Sequence, residues 1–312
     1  MTRGARLVLA AVLVLVLAAG PASGLTVVDQ RGQTLTLPGV PTRIVSLLPS
    51  VTEILFAIGA QDRLAGVTDL CDFPPEARGK PSVGGMISPS LEALVALKPD
   101  LVVATPSGNR QETVDQLRRL GIPVYLVDAT TVAGAIEVMD RLAELTGRRA
   151  AAAPILASLS RRIQAVTDRV APRRRPRVLY VLWPEPLIVP GHGALISNLI
   201  ATAGGDSVTA GQANAYPRYS LEAAVAHMPE VILLASHRGR TPLAREKWEK
   251  IASLPAIRSG RLHAVDGDLV HRFGPRVVDG LELLARLIHP DAFEQAASPA
   301  PPSLAPPSPA PR

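Results

Sequence analysis

Residues whose types and spacing could do chemistry are few in this chain and widely spread. The 312 residues contain no Gly-x-Ser-x-Gly elbow, no Gly-x4-Gly-Lys-Ser/Thr phosphate loop and no His-Glu-x2-His pair. Gly191–His192–Gly193 lacks the third glycine of a dinucleotide fingerprint, and no suitably spaced acidic residue follows, so it reads as a turn before a helix. Six histidines are scattered along the chain: His192, His227, His237, His263, His271 and His289. His192, His237 and His271 could converge from loops, while His227 and His289 read as ordinary surface positions. A tight transition-metal site wants three or four convergent ligands, so the pattern predicts no metal, no cofactor and no catalytic residue. The single cysteine, Cys71, either packs as a small apolar group or contacts a ligand.

Two glutamates stand out by repetition. Residues 90–105 read SLEALVALKPDLVVAT and residues 220–235 read SLEAAVAHMPEVILLA. The copies share Ser90/Ser220, Leu91/Leu221, Glu92/Glu222, Ala93/Ala223, Val95/Val225, Ala96/Ala226 and Pro99/Pro229. Each predicts a short helix that runs into a buried strand. Ser90 or Ser220 can cap the free amides, and the glutamate sits in the first turn, where the dipole favours it by about 0.3–1 kcal/mol. Pro99 and Pro229 stop the helix. The apolar runs that follow suit parallel strands covered on both faces. Two copies 130 residues apart predict two α/β lobes with a cleft between them, since solenoid repeats are far shorter.

The elements that must position these residues follow the same plan. Residues 25–37 predict an edge hairpin turning at Arg31–Gly32. RIVSLLPS (43–50) predicts a buried strand, and Ser50 with Glu53 predicts a capping box for the helix that ends near Gly59. LAGVT (64–68) is the next strand, and Pro74–Pro75 keeps the loop DLCDFPP extended. A helix over 110–121 and a strand over 123–129 complete a β-α-β-α-β order with parallel strands. Residues 131–146 and 149–170 predict two helices, with Pro154 in the first turn of the second or kinking it. A single long helix linking the lobes predicts a stiff molecule with small opening motions. In the second lobe, 177–183 and 187–191 predict strands, 194–205 a helix closed by Gly204–Gly205, 261–265 a strand and 275–288 a helix, with a further helix around Trp248. The expected organisation is a leader (1–24), an N-terminal α/β lobe (25–130), lobe-closing and linking helices (131–172), a C-terminal α/β lobe (173–292) and a disordered Pro-rich tail (293–312).

Composition narrows the partners and the compartment. Hydrophobic residues are 47% and charged residues 19%, enough for two cores. Net charge is +6, of which Arg3 and Arg6 of the leader carry two, leaving +4. With aromatics at 3% and no basic stripe, a nucleic-acid partner is excluded. Arg3 and Arg6, the apolar run Leu7–Ala19 and the small residues Ala22 and Gly24 predict a secretory signal cleaved before Leu25. The run is shorter than the roughly 20 residues that span a bilayer. No cysteine follows that could take a lipid, and one cysteine allows no internal disulfide. A soluble, monomeric periplasmic protein is expected.

RIVSLLPSVTEILFAIGA, GVTDLCDFPPEA, SLEALVALKPDLVVA, GIPVYLVDA, SLEAAVAHMPEVILLA and GPRVVDGLELLARLIHP together resemble the periplasmic solute-binding proteins of the helix-linked class. These serve importers of vitamin B12, haem and iron siderophores, and over residues 43–290 the chain is most similar to the cobalamin binders. The resemblance implies an α/β fold of two Rossmann-like lobes with parallel sheets, joined by one long linking helix, with ligand in the cleft between them. It implies capture of cobalamin or a related corrinoid and delivery to the permease dimer of an ATP-driven importer in the inner membrane. Haem or a ferric siderophore is the alternative ligand. From a different class, an exported α/β enzyme on a small metabolite is weighed against it. Carried over position by position, the ligand-binding residues are Pro49 and Ser50 at the strand-to-helix turn, the aromatics Trp183 and Tyr216, and the polar pair Asp268 and Arg272. Leu70, Met86 and Thr105 stand where tyrosine or tryptophan would be expected, and Cys71 lies in the same loop as Leu70, where the sharpest reading is a cobalt-bound thiolate. Glu92 and Glu222 match glutamates that dock onto permease arginines.

Overall fold

The computed structural model describes residues 24–236 and 245–294, which divide into two compact units. The expected leader up to residue 23, His237 and the Pro-rich stretch beyond residue 294 lie outside the described residues. Among the described residues no helix is long and apolar enough to cross a membrane.

The first unit begins with the expected hairpin, β1 (Leu25–Val28) paired antiparallel with β2 (Thr34–Leu37). There follow β3 (Ile44–Ser46), α1 (Pro49–Ala57), β4 (Leu64–Val67), α2 (Leu91–Ala96), β5 (Leu101–Ala104), α3 (Gln111–Arg119) and β6 (Val124–Leu126). The four strands are parallel in the order β4-β3-β5-β6. Every residue of β3, β5 and β6 is buried, as unbroken apolar runs require in a sheet covered on both faces. One side of this core is Val45, Leu47, Val102 and Ala104 against Leu94, Val114 and Leu117. Next come α4 (Val132–Leu145), capped by Thr131, and α5 (Arg149–Val170), within which the chain passes to the second unit. Pro154 lies inside α5, beyond its first turn.

The second unit contains β7 (Arg177–Val181), a small hairpin of β8 (Trp183–Pro184) and β9 (Leu187–Ile188), α6 (Leu195–Thr202) except its first turn, which belongs to the first unit, β10 (Asp206–Ser207), α7 (Leu221–Ala226) and β11 (Val231–Ser236). After the undescribed residues come α8 (Arg245–Glu249), α9 (Pro255–Arg258), β12 (Leu262–Asp266), α10 (Gly267–Val270), which belongs to the first unit, α11 (Val277–Ile288), whose first turn does too, and α12 (Pro290–Glu294). The sheet order is β10-β7-β11-β12, with β10 and β11 parallel to β7. Trp248 is fully buried in its core with Leu179, Val181, Ile232 and Leu254.

Three local expectations change. Ser50 and Glu53 form no capping box: Leu48 is the N-cap, without a side-chain bond, and α1 begins at Pro49, where proline's missing amide costs nothing. Ser50 instead accepts a hydrogen bond from the Phe273 amide at 3.1 Å. The stretch 177–183 leaves the sheet after Val181, because Pro184 and Pro186 cannot donate to a ladder and residues 183–188 turn back on themselves as a hairpin. Segments 193–198 and 266–280, expected in the second lobe, belong to the first unit. There the Asn198 side chain accepts from the Val132 amide at the start of α4.

The sequence repeat extends into matching backbone. Ser90 and Ser220 accept from the amides of Ala93 and Ala223. Both helices then turn through a left-handed residue that is not glycine, Lys98 at φ 46° and Met228 at φ 47°. An arginine at the start of each unit's first parallel strand covers the carbonyls left free there. Arg43 donates to Leu97 and Lys98, and Arg177 to His227 and Met228. Asp100 and Glu230 complete the match, accepting from the amides of Arg43 and Arg177.

Candidate ligand-binding site

In an open parallel sheet, ligands bind beyond the carboxyl ends of the strands. The first unit gathers its candidate residues there. Pro49 and Ser50 follow β3, Leu70 and Cys71 follow β4, and Thr105 follows β5. The Asn109 side chain, itself buried, ties three of these turns together. It accepts from the Thr105 amide at 2.8 Å and donates to the carbonyls of Met86 at 2.7 Å and Leu47 at 3.3 Å. The Met86 side chain lies over Gly108, where a Cβ would fall 2.0 Å from its terminal methyl. Met86 and Thr105 are therefore neighbours.

These positions are not equally accessible. Leu70 is 44% exposed, whereas Pro49, Ser50, Thr105 and Cys71 are buried. Thr105 pairs with the Ser107 hydroxyl, in keeping with a structural place in its turn. Cys71 lies 3.2 Å from the Thr68 hydroxyl. Burial pushes its thiol up from the ordinary value, against hydrogen bonds with Thr52 and Thr68 that work the other way. A thiol held protonated packs as an apolar group and is a poor thiolate ligand.

Asp268 and Arg272 come together with residues that the sequence did not place in the site. Glu53 lies on α1 in an otherwise apolar run, and its side chain is 1% exposed. Its carboxylate accepts from Arg276 through Nε at 2.9 Å and Nη2 at 2.7 Å, and from Arg272 Nη1 at 3.0 Å. Arg272 also pairs with Asp72 at 3.2 Å and Asp268 at 2.9 Å. Burial opposes the charge on Arg272, but Glu53, Asp268 and Asp72 outweigh it and raise its pKa further. Gly274 makes the fit possible, since a Cβ there would stand 3.0 Å from a Glu53 carboxylate oxygen. Above this network the Arg276 guanidinium covers the ring of Phe73 at 3.8 Å. A charged residue inside the run VTEILFAIGA, together with arginines four apart at 272 and 276, was the available signal for this cluster.

The second unit supplies the two remaining aromatics. Trp183 is 48% exposed on β8 and donates its indole N–H to the Glu185 carbonyl at 3.0 Å. Tyr216, 47% exposed, lies in the stretch that runs beside β9, since Arg218 bridges to Ile188 and the Val189 amide donates to Pro217. The two therefore lie on either side of β9 in one antiparallel patch. His192 and Gly191 belong to the same patch and bond through their amides to Gln212 and Ala215, a structural role for the Gly-His-Gly turn. His289 is buried rather than on the surface, with Nε2 3.1 Å from the Gly204 carbonyl. Among the described residues no group of His, Cys, Asp and Glu could hold a metal ion. Glu92 and Glu222 are exposed, each in the first turn of a helix secured at both ends.

Residues 44–269 match the family model described as periplasmic binding protein. The vitamin B12-binding protein of Salmonella typhimurium is 31% identical over 247 residues, covering 78% of this chain and 90% of that protein. Among solved structures, the periplasmic vitamin B12-binding protein of Vibrio cholerae superimposes with a TM-score of 0.73 at 27% identity, covering 82% of this chain and 99% of that one. The periplasmic haem-binding protein of Roseiflexus sp. RS-1 gives 0.70 at 26% identity, covering 80% and 98%.

Proposed function

The chain belongs to the periplasmic binding protein family, and on that premise we propose that it is the solute-capturing component of an ATP-driven importer, binding cobalamin or a related corrinoid and handing it to the permease. The observation that carries this reading is the make-up of the candidate site. Exposed Leu70 and Phe73 and half-buried Met86 stand at the carboxyl ends of the first unit's strands, beside the Asp268–Arg272 pair. Half-exposed Trp183 and Tyr216 present a second aromatic patch in the other unit. Pockets for large organic ligands are mostly apolar, with a few placed polar groups that fix orientation. The name of the Salmonella relative points to the corrinoid, and the haem-binding neighbour keeps haem as the alternative.

Delivery assigns roles to Glu92 and Glu222. Each is exposed and rigidly presented, as docking onto permease arginines requires. The leader residues would carry the chain across the inner membrane, so that capture takes place in the periplasm as a monomer. Cys71 packs in the loop rather than coordinating cobalt, and nothing in the proposed role calls for catalysis.

Titration of the purified mature protein with cyanocobalamin, haemin and a ferric siderophore tests the reading. Saturable one-to-one binding of cyanocobalamin, without turnover, is the expected result. Preferential binding of haemin or the siderophore would reassign the ligand within the class, and conversion of any of them would replace the receptor with an enzyme.

A further inference from the structure

The geometry points to Phe73 as an aromatic contact face for the ligand and to Glu53 as the residue that positions it through Arg276, an inference that rests on the receptor reading above. Where the resemblance expects an aromatic, at position 70, this chain has leucine. Three residues further along the same loop, Phe73 is 39% exposed. One face of its ring is taken by the Arg276 guanidinium at 3.8 Å, within the distance of about 6 Å at which a cation over an aromatic face is attracted. A lone exposed phenylalanine needs no explanation by itself. What sets this one apart is how firmly its partner is held. Glu53 grips Arg276 by Nε and Nη2 together, and this two-point contact fixes the plane of the guanidinium as well as its position.

Burying the Glu53 carboxylate is a poor way to gain stability, since the cost of desolvation consumes most of the attraction within such a pair. Fixing geometry is the better-supported use of a buried charge. Here three segments meet at one carboxylate: α1, the loop 69–74 through Arg276 and Phe73, and residues 268–276 through Arg272. The exposed part of the ring then offers a preset surface for offset stacking against a flat ring system.

The rim beside it defines the chemistry further. Glu53, Asp72 and Asp268 carry three negative charges against two on Arg272 and Arg276, leaving one net negative charge. Asp72 and Asp268 keep part of their surface open to solvent. Such an edge accepts hydrogen bonds from N–H donors and disfavours carboxylates. The class of ligand selected is a flat macrocycle fringed with neutral amides, in preference to one carrying ionised acid groups.

The test is a double-mutant cycle on the full mature chain, titrated calorimetrically with cyanocobalamin, haemin and a ferric siderophore. Folding is checked by near-ultraviolet circular dichroism. Phe73→Ala should weaken the ligand that binds by about tenfold or more, while Phe73→Tyr, which keeps the ring, should stay within about threefold. Glu53→Gln should lose about as much as Phe73→Ala, and the double variant should lose no more than either alone. A merely structural Glu53 would give independent, additive losses. If Glu53→Gln does not fold, Arg276→Gln takes its place in the cycle with the same expectation. Ligand bound by the wild type and equally well by Phe73→Ala would overturn this inference and leave the receptor reading intact. A wild type that binds none of the three would overturn both.

Discussion

Glu53 shows most directly how a single residue is committed by its surroundings. Removing one partner of a buried ion pair leaves the others desolvated and uncompensated, at a cost of about 3–5 kcal/mol. Glu53→Ala strands two arginines, so its unfolding free energy from urea titration should fall by that amount relative to wild type. Asn109 has no charge, yet its side chain makes three hydrogen bonds to backbone. Asn109→Leu should cost about 1–3 kcal/mol, because it leaves buried backbone groups unpaired. Two titrating groups set opposite parts of the acid limb. The hydrogen bond from Arg174, aided by the Arg177 amide, holds the Glu230 carboxyl down at about 2, against the pull of burial. The folded state therefore binds fewer protons than the unfolded chain between pH 4.5 and about 2. Its contribution is whole above that window and lost as pH falls through it. Burial lowers the pKa of His289, so its contribution is whole above the ordinary imidazole range and declines as pH falls below it. Glu230→Gln should flatten the stability profile below pH 4.5 and leave the His289 decline, which begins as pH falls below the ordinary imidazole range, unchanged.

At the scale of elements, the twice-used helix-to-strand unit is secured at its amino end from within the repeated sequence and at its carboxyl end from outside it. Serine caps the amino end in both copies, and an arginine 50–55 residues before the turn in chain order closes the carboxyl end. Loss of a serine cap costs about 0.5–2 kcal/mol. Ser90→Ala and Ser220→Ala should each lower stability by that amount. Because the two caps belong to different units, the double variant should show the sum within about 0.5 kcal/mol, read from denaturant midpoints at unchanged slope. Arg43→Ala and Arg177→Ala should be costlier than an ordinary surface change, since each leaves carbonyls beside a left-handed residue without a donor.

At the scale of the whole molecule, the two helices present Glu92 and Glu222 to solvent while the ligand candidates lie at strand ends. Capture and delivery are then separable. Glu92→Ala combined with Glu222→Ala should retain ligand affinity yet abolish association with the permease and uptake by cells that carry the cognate importer. Each single change should cause a partial loss, because truncating one side of a desolvated charge pair costs about 2–5 kcal/mol. Normal transport by the double variant would leave the repeated glutamates as architecture alone.

The local plan was legible in the sequence. Continuous apolar runs marked β3, β5, β7 and β11 because a parallel strand buried on both faces admits little else, and serine followed by an acidic turn marked α2 and α7 because capping is a local event. Six motifs in order were also enough to place the chain among periplasmic binding proteins. Pairings that cross from one part of the chain to another were beyond its reach. Ser50 and Glu53 have the spacing of a capping box, but Phe273 and the arginines at 272 and 276, more than 200 residues away, claim both side chains. Segment 266–280 follows the second unit's last strand in sequence and packs with the first unit, which no local pattern encodes. A buried carboxylate takes whichever cations the folded chain brings within reach, and that choice, made by tertiary structure, decided what surrounds the candidate site.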